Sequence, residues 1–287
     1  MTDAPPPAAG LRRVAVFTTD PAAGNPAGVW IGDAWPDPAE MQRIATEVGY
    51  SETAFVAPTV GPERRVRYFS PEAEVPFCGH ATVGTGAVLG ETSGDGTYHL
   101  STSVGVVPVA VRTVDGVREA SLTSVVPRHI PVGAALLRDV LAALDWHPTE
   151  LDAAIPPARA YAGAWHLILA AATPARLARL SYRFDEMKRL MLDAGLTTLQ
   201  LVWRASEHRF HARNPFPVGG VVEDPATGAA AAALGGYLRD AGLLAAPARV
   251  HIVQGEAMGR RSELQVDIPA VGGIVVTGAV VPIQSEP

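Results

Sequence analysis

Two stretches of the sequence place reactive or charged side chains directly before a helix made of small residues. In "FCGHATVGTGAVLG", Phe77 to Gly90, Cys78 and His80 stand at the start of the stretch. In "EDPATGAAAAALGGYL", Glu223 to Leu238, two carboxylates, a proline and a glycine come first. A helix with almost no polar face is expected inside the protein, where an uncompensated charge is costly. Stability alone therefore does not explain the charged residues, and the pattern suggests a binding site.

The N-terminus of a helix indicates what such a site would bind. Its first backbone N–H groups have no partner within the helix and the helix dipole is positive there, so carboxylates and phosphates bind readily. Two helix starts that face each other across a domain cleft would hold an anionic substrate from both sides. The candidate donors lie around Gly79–Ala81 and Thr227–Ala229. Asp224 has two open interpretations: a residue of this site, or simply the N-cap of a buried helix.

The elements that must position these residues are repeated in the two halves of the chain. In each half, strands lead through a polar loop and a glycine-containing turn into a small-residue helix, His80–Leu89 in the first half and the alanine-rich run in the second. Alanine and glycine let strands approach a helix closely on all sides. The pattern therefore predicts a sheet rolled around a central helix, once per half.

The sequence also predicts individual helices and strands outside the two central helices. One helix is predicted from its capping residues. Asp37 is the N-cap, Pro38 takes the first helical position, Glu40 completes a capping-box-like pattern, and Gly49 ends the helix. Further predictions are a helix at Ala134–Leu144, an interrupted helix that begins at Thr173-Pro174, strands at Val14–Thr18 and Val29–Ile31, and a strand within "ARAYAGAWHLILAA".

The predicted domain division follows from the repeat. Residues 1–10 form a flexible leader and residues 11–125 an N-terminal domain. The boundary lies near Ser124–Gly133, where proline and polar residues interrupt the pattern. Residues 126–271 form the C-terminal domain, and a last strand at about 272–284 returns to the first domain.

Composition limits the class of protein. The chain has 287 residues, 48% of them hydrophobic and 18% charged, with a net charge of −6. These values predict a soluble globular protein, and no basic run indicates nucleic-acid binding. A single cysteine excludes an internal disulfide framework and favours a reducing compartment. No signal peptide or membrane-spanning stretch is visible, so a cytoplasmic protein without membrane contact is expected.

Five blocks of sequence together resemble one known family. They are "GNPAGV" (Gly24–Val29), "SETAFV" (Ser51–Val56), "PFCGHATVGT" (Pro76–Thr85), "EDPATGAA" (Glu223–Ala230) and "QGEAMGRRSEL" (Gln254–Leu264). In this order they resemble the phenazine-biosynthesis isomerase (PhzF-like) family. That family is similar in fold to diaminopimelate epimerase. The resemblance implies an α+β fold with two pseudo-symmetric domains, each a curled, mostly antiparallel, barrel-like sheet around a central helix, and the active site between them. It also implies a homodimer.

The resemblance assigns roles to particular residues. Glu52 matches the acid/base that moves a proton between carbons of the substrate, while His80 and Asp224 match residues that hold and polarise it. No metal or cofactor is implied. The expected partner is a small unsaturated carboxylate, such as a dihydro-hydroxyanthranilate or another natural-product intermediate. The set of substrate-binding residues comprises Asn25, Gly79, Ala81, Thr227, Gly228 and Ala229. A partly desolvated carboxyl group at Glu52 would have a raised pKa, which suits proton transfer near neutral pH.

Two positions depart from the family pattern and leave alternatives open. Ala229 stands where the family often carries a serine, so a substrate other than the phenazine precursor is an open alternative. Cys78 stands where racemases of this fold carry one of two catalytic cysteines. The lack of a second cysteine excludes a two-thiol racemase. A single-cysteine racemase or epimerase using Cys78 stays open, as do a small buried Cys78 without chemistry and a non-catalytic binding protein of the same fold.

Two other patterns are rejected as sites. "GTGAVLG", Gly84 to Gly90, matches a loose dinucleotide pattern, but it lacks a preceding strand and an acidic residue about 20 positions later. Its glycines are better explained as close-packing positions. His208 and His211 are three positions apart on a predicted strand and therefore face opposite sides, so no metal site is expected there.

Overall fold

The computed structural model describes residues 10–58 and 63–284. The predicted leader lies outside the described residues except for Gly10. The chain divides into two compact units, Met1–Leu122 with Gly278–Pro287, and Thr123–Thr277. Within the described ranges, no helix is long and apolar enough to cross a membrane.

The first unit is a row of strands around one helix. Its elements are β1 (Leu11–Val16), β2 (Asn25–Ile31), α1 (Pro38–Val48), β3 (Thr53–Pro58), β4 (Arg64–Phe69), β5 (Glu74–Val75), α2 (Gly79–Ser93), β6 (Gly96–Thr102), β7 (Gly105–Val114) and β8 (Val117–Thr123), with the last strand of the chain, β18 (Val275–Pro282). The strand order is β1-β2-β3-β4-β6-β7-β8, and β18 pairs with both β8 and β1. These pairings close the row into a barrel-like ring.

The central helix of this ring is α2, which contacts β1, β2, β3, β6 and β7. Every residue from His80 to Gly90 is buried. A β-carbon added at Gly86 would lie 2.5 Å from Cγ1 of Val109, and one at Gly84 would lie 3.1 Å from Cγ2 of Val14. The glycines are therefore close-packing positions, as predicted, because larger side chains would push the strands away.

Helix α1 lies outside this ring and confirms the capping pattern of the sequence. The Asp37 carboxylate accepts a hydrogen bond from the backbone N–H of Glu40 at 2.9 Å, and Pro38 is the first helical residue. Gly49 ends the helix in the left-handed conformation, with φ 69°. The apolar face packs into a cluster with Phe55 and Phe69.

The second unit repeats the plan with a different set of strands. Its elements are β9 (Arg128–Pro131), α3 (Ala134–Leu144), β10 (Ala158–Tyr161), β11 (Trp165–Ala170), α4 (Pro174–Ala178), α5 (Phe184–Asp193), β12 (Thr198–Ser206), β13 (Arg209–Arg213), β14 (Pro215–Phe216), β15 (Val221–Glu223), α6 (Gly228–Asp240), β16 (Ala248–Gln254) and β17 (Ser262–Ile268). Three-residue 3₁₀ turns lie at Pro148–Glu150, Pro217–Gly219 and Glu256–Met258. The strand order is β17-β16-β13-β12-β11-β10-β9, and β14 pairs only with β15.

Helix α6 is the core of the second unit. It contacts β9, β10, β11, β12 and β17, and it is buried from Ala230 to Leu238. On the other face of the sheet, α3 and α5 pack with the outward-facing leucines of β11 and β12 in a separate apolar cluster. Both units therefore have a curled, mostly antiparallel sheet around a central helix, which confirms the predicted α+β fold class.

Several predicted bounds are wrong. "ARAYAGAWHLILAA" contains two antiparallel strands, β10 and β11, because the chain turns at Ala162–Ala164. The boundary segment Ser124–Gly133 also contains a strand that was not predicted, β9, which pairs with β10 although it is mostly exposed and ends in a proline. β1 ends at Val16 instead of Thr18, and β2 begins at Asn25 instead of Val29 because the loop residues Asn25 and Pro26 pair with β1.

The packing around Gly86 gives a test of the central-helix arrangement. Gly86→Ala should lower the free energy of unfolding by about 1–3 kcal/mol, because the new methyl group overlaps Val109. Without that contact, the higher helix propensity of alanine would stabilise the protein by about 1 kcal/mol. Chemical denaturation measures the sign. The matched control is Gly133→Ala, where a β-carbon meets no atom within 4 Å. A stabilised Gly86→Ala protein would contradict the packing.

Candidate active site

The first unit brings Glu52 and His80 together. Glu52 lies directly before β3, and its backbone carbonyl accepts a hydrogen bond from Gly28 N–H at 3.2 Å. His80 is the second residue of α2. Oε2 of Glu52 and Nε2 of His80 are 3.6 Å apart, with side chains that are 15% and 6% exposed. Glu52 is therefore a partly buried carboxylate with an imidazole beside it, not a solvated residue after a helix.

His80 is held from three sides. Its Nε2 lies 3.5 Å from Oγ of Ser51, and its Nδ1 lies 3.3 Å from Sγ of Cys78. Burial lowers the pKa of His80 below 6.5, while the Glu52 carboxylate and a hydrogen bond to the carbonyl of Pro26 oppose that shift. The ring is therefore neutral at neutral pH. A neutral imidazole has one donor and one acceptor nitrogen, so it can pass a hydrogen bond on to Glu52 or to a bound molecule.

The first turn of α2 contains the candidate residues Gly79, His80 and Ala81. Cys78 is its N-cap and makes no side-chain capping hydrogen bond. The first N–H groups of a helix also lack intrahelical partners. Gly79 is partly exposed, whereas Ala81 is fully buried. Asn25, the first residue of β2, is also buried. The three sequence blocks of this unit thus converge on one place.

In the second unit, the N-cap interpretation of Asp224 is wrong. Helix α6 begins at Gly228 with Thr227 as its N-cap. Asp224 lies a turn earlier, is buried, and its carboxylate accepts a hydrogen bond from the Thr227 hydroxyl. Its backbone N–H donates to the carbonyl of Asn214 at 3.0 Å. Gly228 is buried, while Thr227 and Ala229 are partly exposed at the helix start. The loop therefore presents these residues beside a buried acid.

Gln254 is a residue of this site that the sequence reasoning did not single out. Its side chain is fully buried, and its amide N–H groups donate to the Asp224 carbonyl at 2.8 Å and to Oγ1 of Thr227 at 3.1 Å. Its amide oxygen accepts from Thr227 N–H at 3.4 Å. Gly255 has φ 77°, and a β-carbon there would lie 2.7 Å from the Pro225 carbonyl. Gln254 and Gly255 therefore hold the loop Glu223–Gly228 in place. Their position in the family-like block Gln254–Leu264 is the sequence signal that could have identified them.

The second carboxylate of "EDPATG" has a structural partner. Glu223 is buried and forms a two-bond ion pair with Arg213, in which Nε donates to Oε1 at 2.9 Å. Arg213 also donates to the carbonyl of Ala178 at 2.8 Å. Glu223 thus fixes β15 against β13, and Asp224 is the carboxylate that remains at the helix start.

The described residues contain one group with the spacing of metal ligands. It consists of Glu52, Cys78 and His80, whose ligand atoms lie within 4.8 Å of one another. His208 and His211, the histidine pair rejected as a metal site from the sequence, are not part of this group. Nδ1 of His211 contacts Oε2 of Glu256 at 2.7 Å, and His208 is exposed.

The fold is that of a class of isomerases and epimerases. A predicted epimerase from Pseudomonas aeruginosa is 26% identical and has a TM-score of 0.85 over 96% of this chain and 98% of its own. A PhzF-family phenazine biosynthesis protein from Bacillus anthracis has a TM-score of 0.84 at 22% identity over 96% of each chain. A probable proline racemase from Agrobacterium radiobacter has a TM-score of 0.66 at 14% identity, over 96% of this chain and 92% of its own. At such identities, these last two show the fold alone.

The sequence places the chain within one family of that class. Residues 14–284 match the family described as phenazine biosynthesis-like protein. A protein named an uncharacterized isomerase from Deinococcus radiodurans is 33% identical over 90% of this chain and 86% of its own. A trans-2,3-dihydro-3-hydroxyanthranilate isomerase from Pseudomonas fluorescens is 31% identical over 86% of this chain and 85% of its own. The chain belongs to the phenazine biosynthesis-like family, which confirms the resemblance.

The buried amide of Gln254 gives a test of the second-unit loop. Gln254→Met keeps the length of the side chain but leaves the Asp224 carbonyl and the Thr227 N–H without this partner. The free energy of unfolding should fall by about 1–3 kcal/mol, as measured by urea denaturation. The control is Gln265→Met, a partly exposed side chain on β17 whose amide bonds Asp267. Equal losses in the two variants would contradict the assigned role.

The buried imidazole of His80 gives a pH test. Because the pKa of His80 in the folded protein lies below 6.5, the unfolded chain binds a proton there first as the pH falls. Stability should therefore decline below pH 6.5, by up to about 1.4 kcal/mol per pH unit for this group. The slope of unfolding free energy against pH should be smaller by that amount in His80→Asn. An unchanged slope would show that His80 is not buried in its neutral form.

Proposed function

We infer that the protein is a PhzF-type isomerase in which Glu52 moves a proton between two carbons of a small unsaturated carboxylate. The observation that carries this proposal is the Glu52–His80 pair, a partly buried carboxylate 3.6 Å from an imidazole. Membership of a family whose relatives are named isomerases supports the reaction class.

The proposed step balances without an external reagent. The Glu52 carboxylate takes a proton from one sp³ carbon of the substrate, and the electron pair of that C–H bond enters the conjugated system. The resulting carboxylic acid returns a proton to another carbon, so the product is an isomer and Glu52 is regenerated. A positioned carboxylate of this kind contributes typically about 10²- to 10⁴-fold in rate.

His80 is suited to support this exchange. Its ring is neutral because burial lowers its pKa, so it does not hold Glu52 in a permanent ion pair. The 3.6 Å distance is slightly longer than a hydrogen bond, and such contacts commonly tighten when substrate binds. His80 would orient the carboxylate and stabilise its protonated form as it shuttles.

The substrate class follows from relatives and from the helix starts. Relatives named trans-2,3-dihydro-3-hydroxyanthranilate isomerases act on a carboxylate with a conjugated ring. The N–H groups of Gly79, Gly228 and Ala229 lie in the first turns of α2 and α6, have no partner within the helix, and suit a carboxylate. Ala229 offers a methyl group at the start of α6 where a serine would offer a hydroxyl, so a substrate hydroxyl or amine beside it would lose that one hydrogen bond. We therefore propose a related carboxylate with fewer polar groups on that side. A role for Asp224 on the same substrate stays a prediction, as does the homodimer.

Deuterium exchange tests the proposal. With trans-2,3-dihydro-3-hydroxyanthranilate and related cyclohexadienyl carboxylates in deuterated buffer, NMR should show isomerisation and deuterium at the carbon that receives the proton. Glu52→Gln should reduce the rate by at least about 10²-fold. The control is Glu72→Gln, an exposed glutamate on the loop after β4.

Two outcomes would contradict the role of Glu52. One is undiminished exchange and conversion by Glu52→Gln. The other is tight binding of a carboxylate by both wild type and Glu52→Gln without turnover by either, which would favour the binding-protein alternative.

A second candidate rests on Cys78. Its sulfur lies 3.3 Å from Nδ1 of His80. As a thiolate, it would take the α-proton of an amino acid, and Asp224 or Glu52 as the opposed group would return a proton to the other face of that carbon. This single-cysteine racemase would be inactivated by thiol alkylation, and substrate would protect it. Racemisation by Cys78→Ala at the wild-type rate would rule it out.

A further inference from the structure

The group formed by Glu52, Cys78 and His80 has the composition of a transition-metal site. Thiolate, imidazole and carboxylate are the three ligand types of zinc, with metal–ligand distances of about 2.0–2.3 Å. Two ligand atoms on a tetrahedral ion then lie about 3.3–3.7 Å apart. Here Nε2 of His80 is 3.6 Å from Oε2 of Glu52 and 4.0 Å from Sγ of Cys78. All three ligand atoms lie within 4.8 Å of one another.

The backbone around this group is fixed before any ion arrives. The carbonyl of Cys78 accepts from N–H and Oγ1 of Thr82 at 3.0 and 2.6 Å. Oγ1 of Thr82 in turn lies 2.6 Å from the hydroxyl of Tyr68, inside the ring of strands. His80 bonds the Pro26 carbonyl. Hydrogen bonds of ligands to such neighbours orient metal sites in general.

Charge and access are also compatible with a divalent ion. One thiolate and one carboxylate would neutralise the charge of a divalent ion. Cys78 and His80 are buried, whereas the Glu52 side chain is 15% exposed. An ion therefore reaches the site past Glu52 and keeps a fourth position for water.

We propose that Glu52, Cys78 and His80 form a binding site for Zn²⁺ and that the bound ion inhibits the enzyme. Binding itself does not depend on the proposed function. The inhibition does rest on it, because coordination occupies the carboxylate that would carry the proton. Metal binding here is thus an off-state of the site, and the isomerase is active without the ion.

Cobalt provides a specific probe, because Co²⁺ occupies zinc sites and a thiolate ligand gives it a charge-transfer absorption in the near ultraviolet. Cys78 is the single cysteine of the chain, so this absorption can arise only at the proposed site. Titration of the reduced wild-type protein should saturate near one equivalent. Zn²⁺ should abolish the absorption, since it binds more tightly than Co²⁺.

Variants assign the ligands. Cys78→Ser should lose the absorption. Glu52→Gln keeps the thiol and should shift the titration to Co²⁺ concentrations at least about tenfold higher, because loss of even an outer partner of a ligand costs about 10–100-fold in affinity. The control is His211→Asn, which removes the exposed His211–Glu256 contact and should leave the titration unchanged. Circular dichroism confirms that each variant is folded.

The outcomes separate this proposal from the proposed function. Absence of the absorption in wild type, or an unshifted titration in Glu52→Gln, would overturn the metal site whatever the activity. If wild type turns over substrate, Zn²⁺ should inhibit it at the concentrations that displace Co²⁺, and a chelator should restore the rate. Full activity with the site loaded would overturn the inhibition. An absorption without any turnover would sustain the site while the proposed function fails.

Discussion

Close packing between glycine-rich helices and the strands around them is the constraint on which the rest of the structure depends. Because α2 and α6 are surrounded by strands, neither helix has a side on which a polar residue could meet solvent. Within α2, the buried hydroxyls of Thr82 and Thr85 bond carbonyls of the helix itself, whereas backbone N–H groups without a partner in the helix occur only in its first turn. The same small residues that allow the packing therefore concentrate polar chemistry at two helix starts. Cys78 and His80 occupy one of them, and Asp224 and Thr227 the other.

Several of the family-like sequence blocks hold other residues of the site in place. "GNPAGV" supplies the Gly28 N–H that bonds the Glu52 carbonyl and the Pro26 carbonyl that bonds His80. "QG" supplies the amide and the close backbone approach that hold the loop before α6. Even the paired carboxylates separate into two tasks, because Glu223 is neutralised by Arg213 while Asp224 bonds a hydroxyl. The side chains nearest the chemistry are thus a minority of each block.

Much of this could be predicted from the sequence, for local reasons. Capping at Asp37 and Gly49 and the small-residue character of α2 and α6 act within a few residues, so the pattern determined them. What could not be predicted depends on strands distant in sequence. The buried role of Gln254 requires that β16 end beside the Asp224 loop, and a glutamine alone gives no sign of that. The sequence left open whether Asp224 is the N-cap of α6, because aspartate and threonine both cap helices, and in the structure Thr227 holds that position.

The last strand gives the chain an order of assembly. β18 pairs with β1, so the ring around α2 is completed by residues that follow the whole second unit in the chain. During synthesis, the second unit can gather most of its strands while the ring around α2 still lacks one member. Until β18 arrives, the β1 and β8 edges present open backbone groups, the kind of edge that other chains can join. Pairing of β18 with β1 and β8 therefore covers two strand edges that other chains could otherwise join.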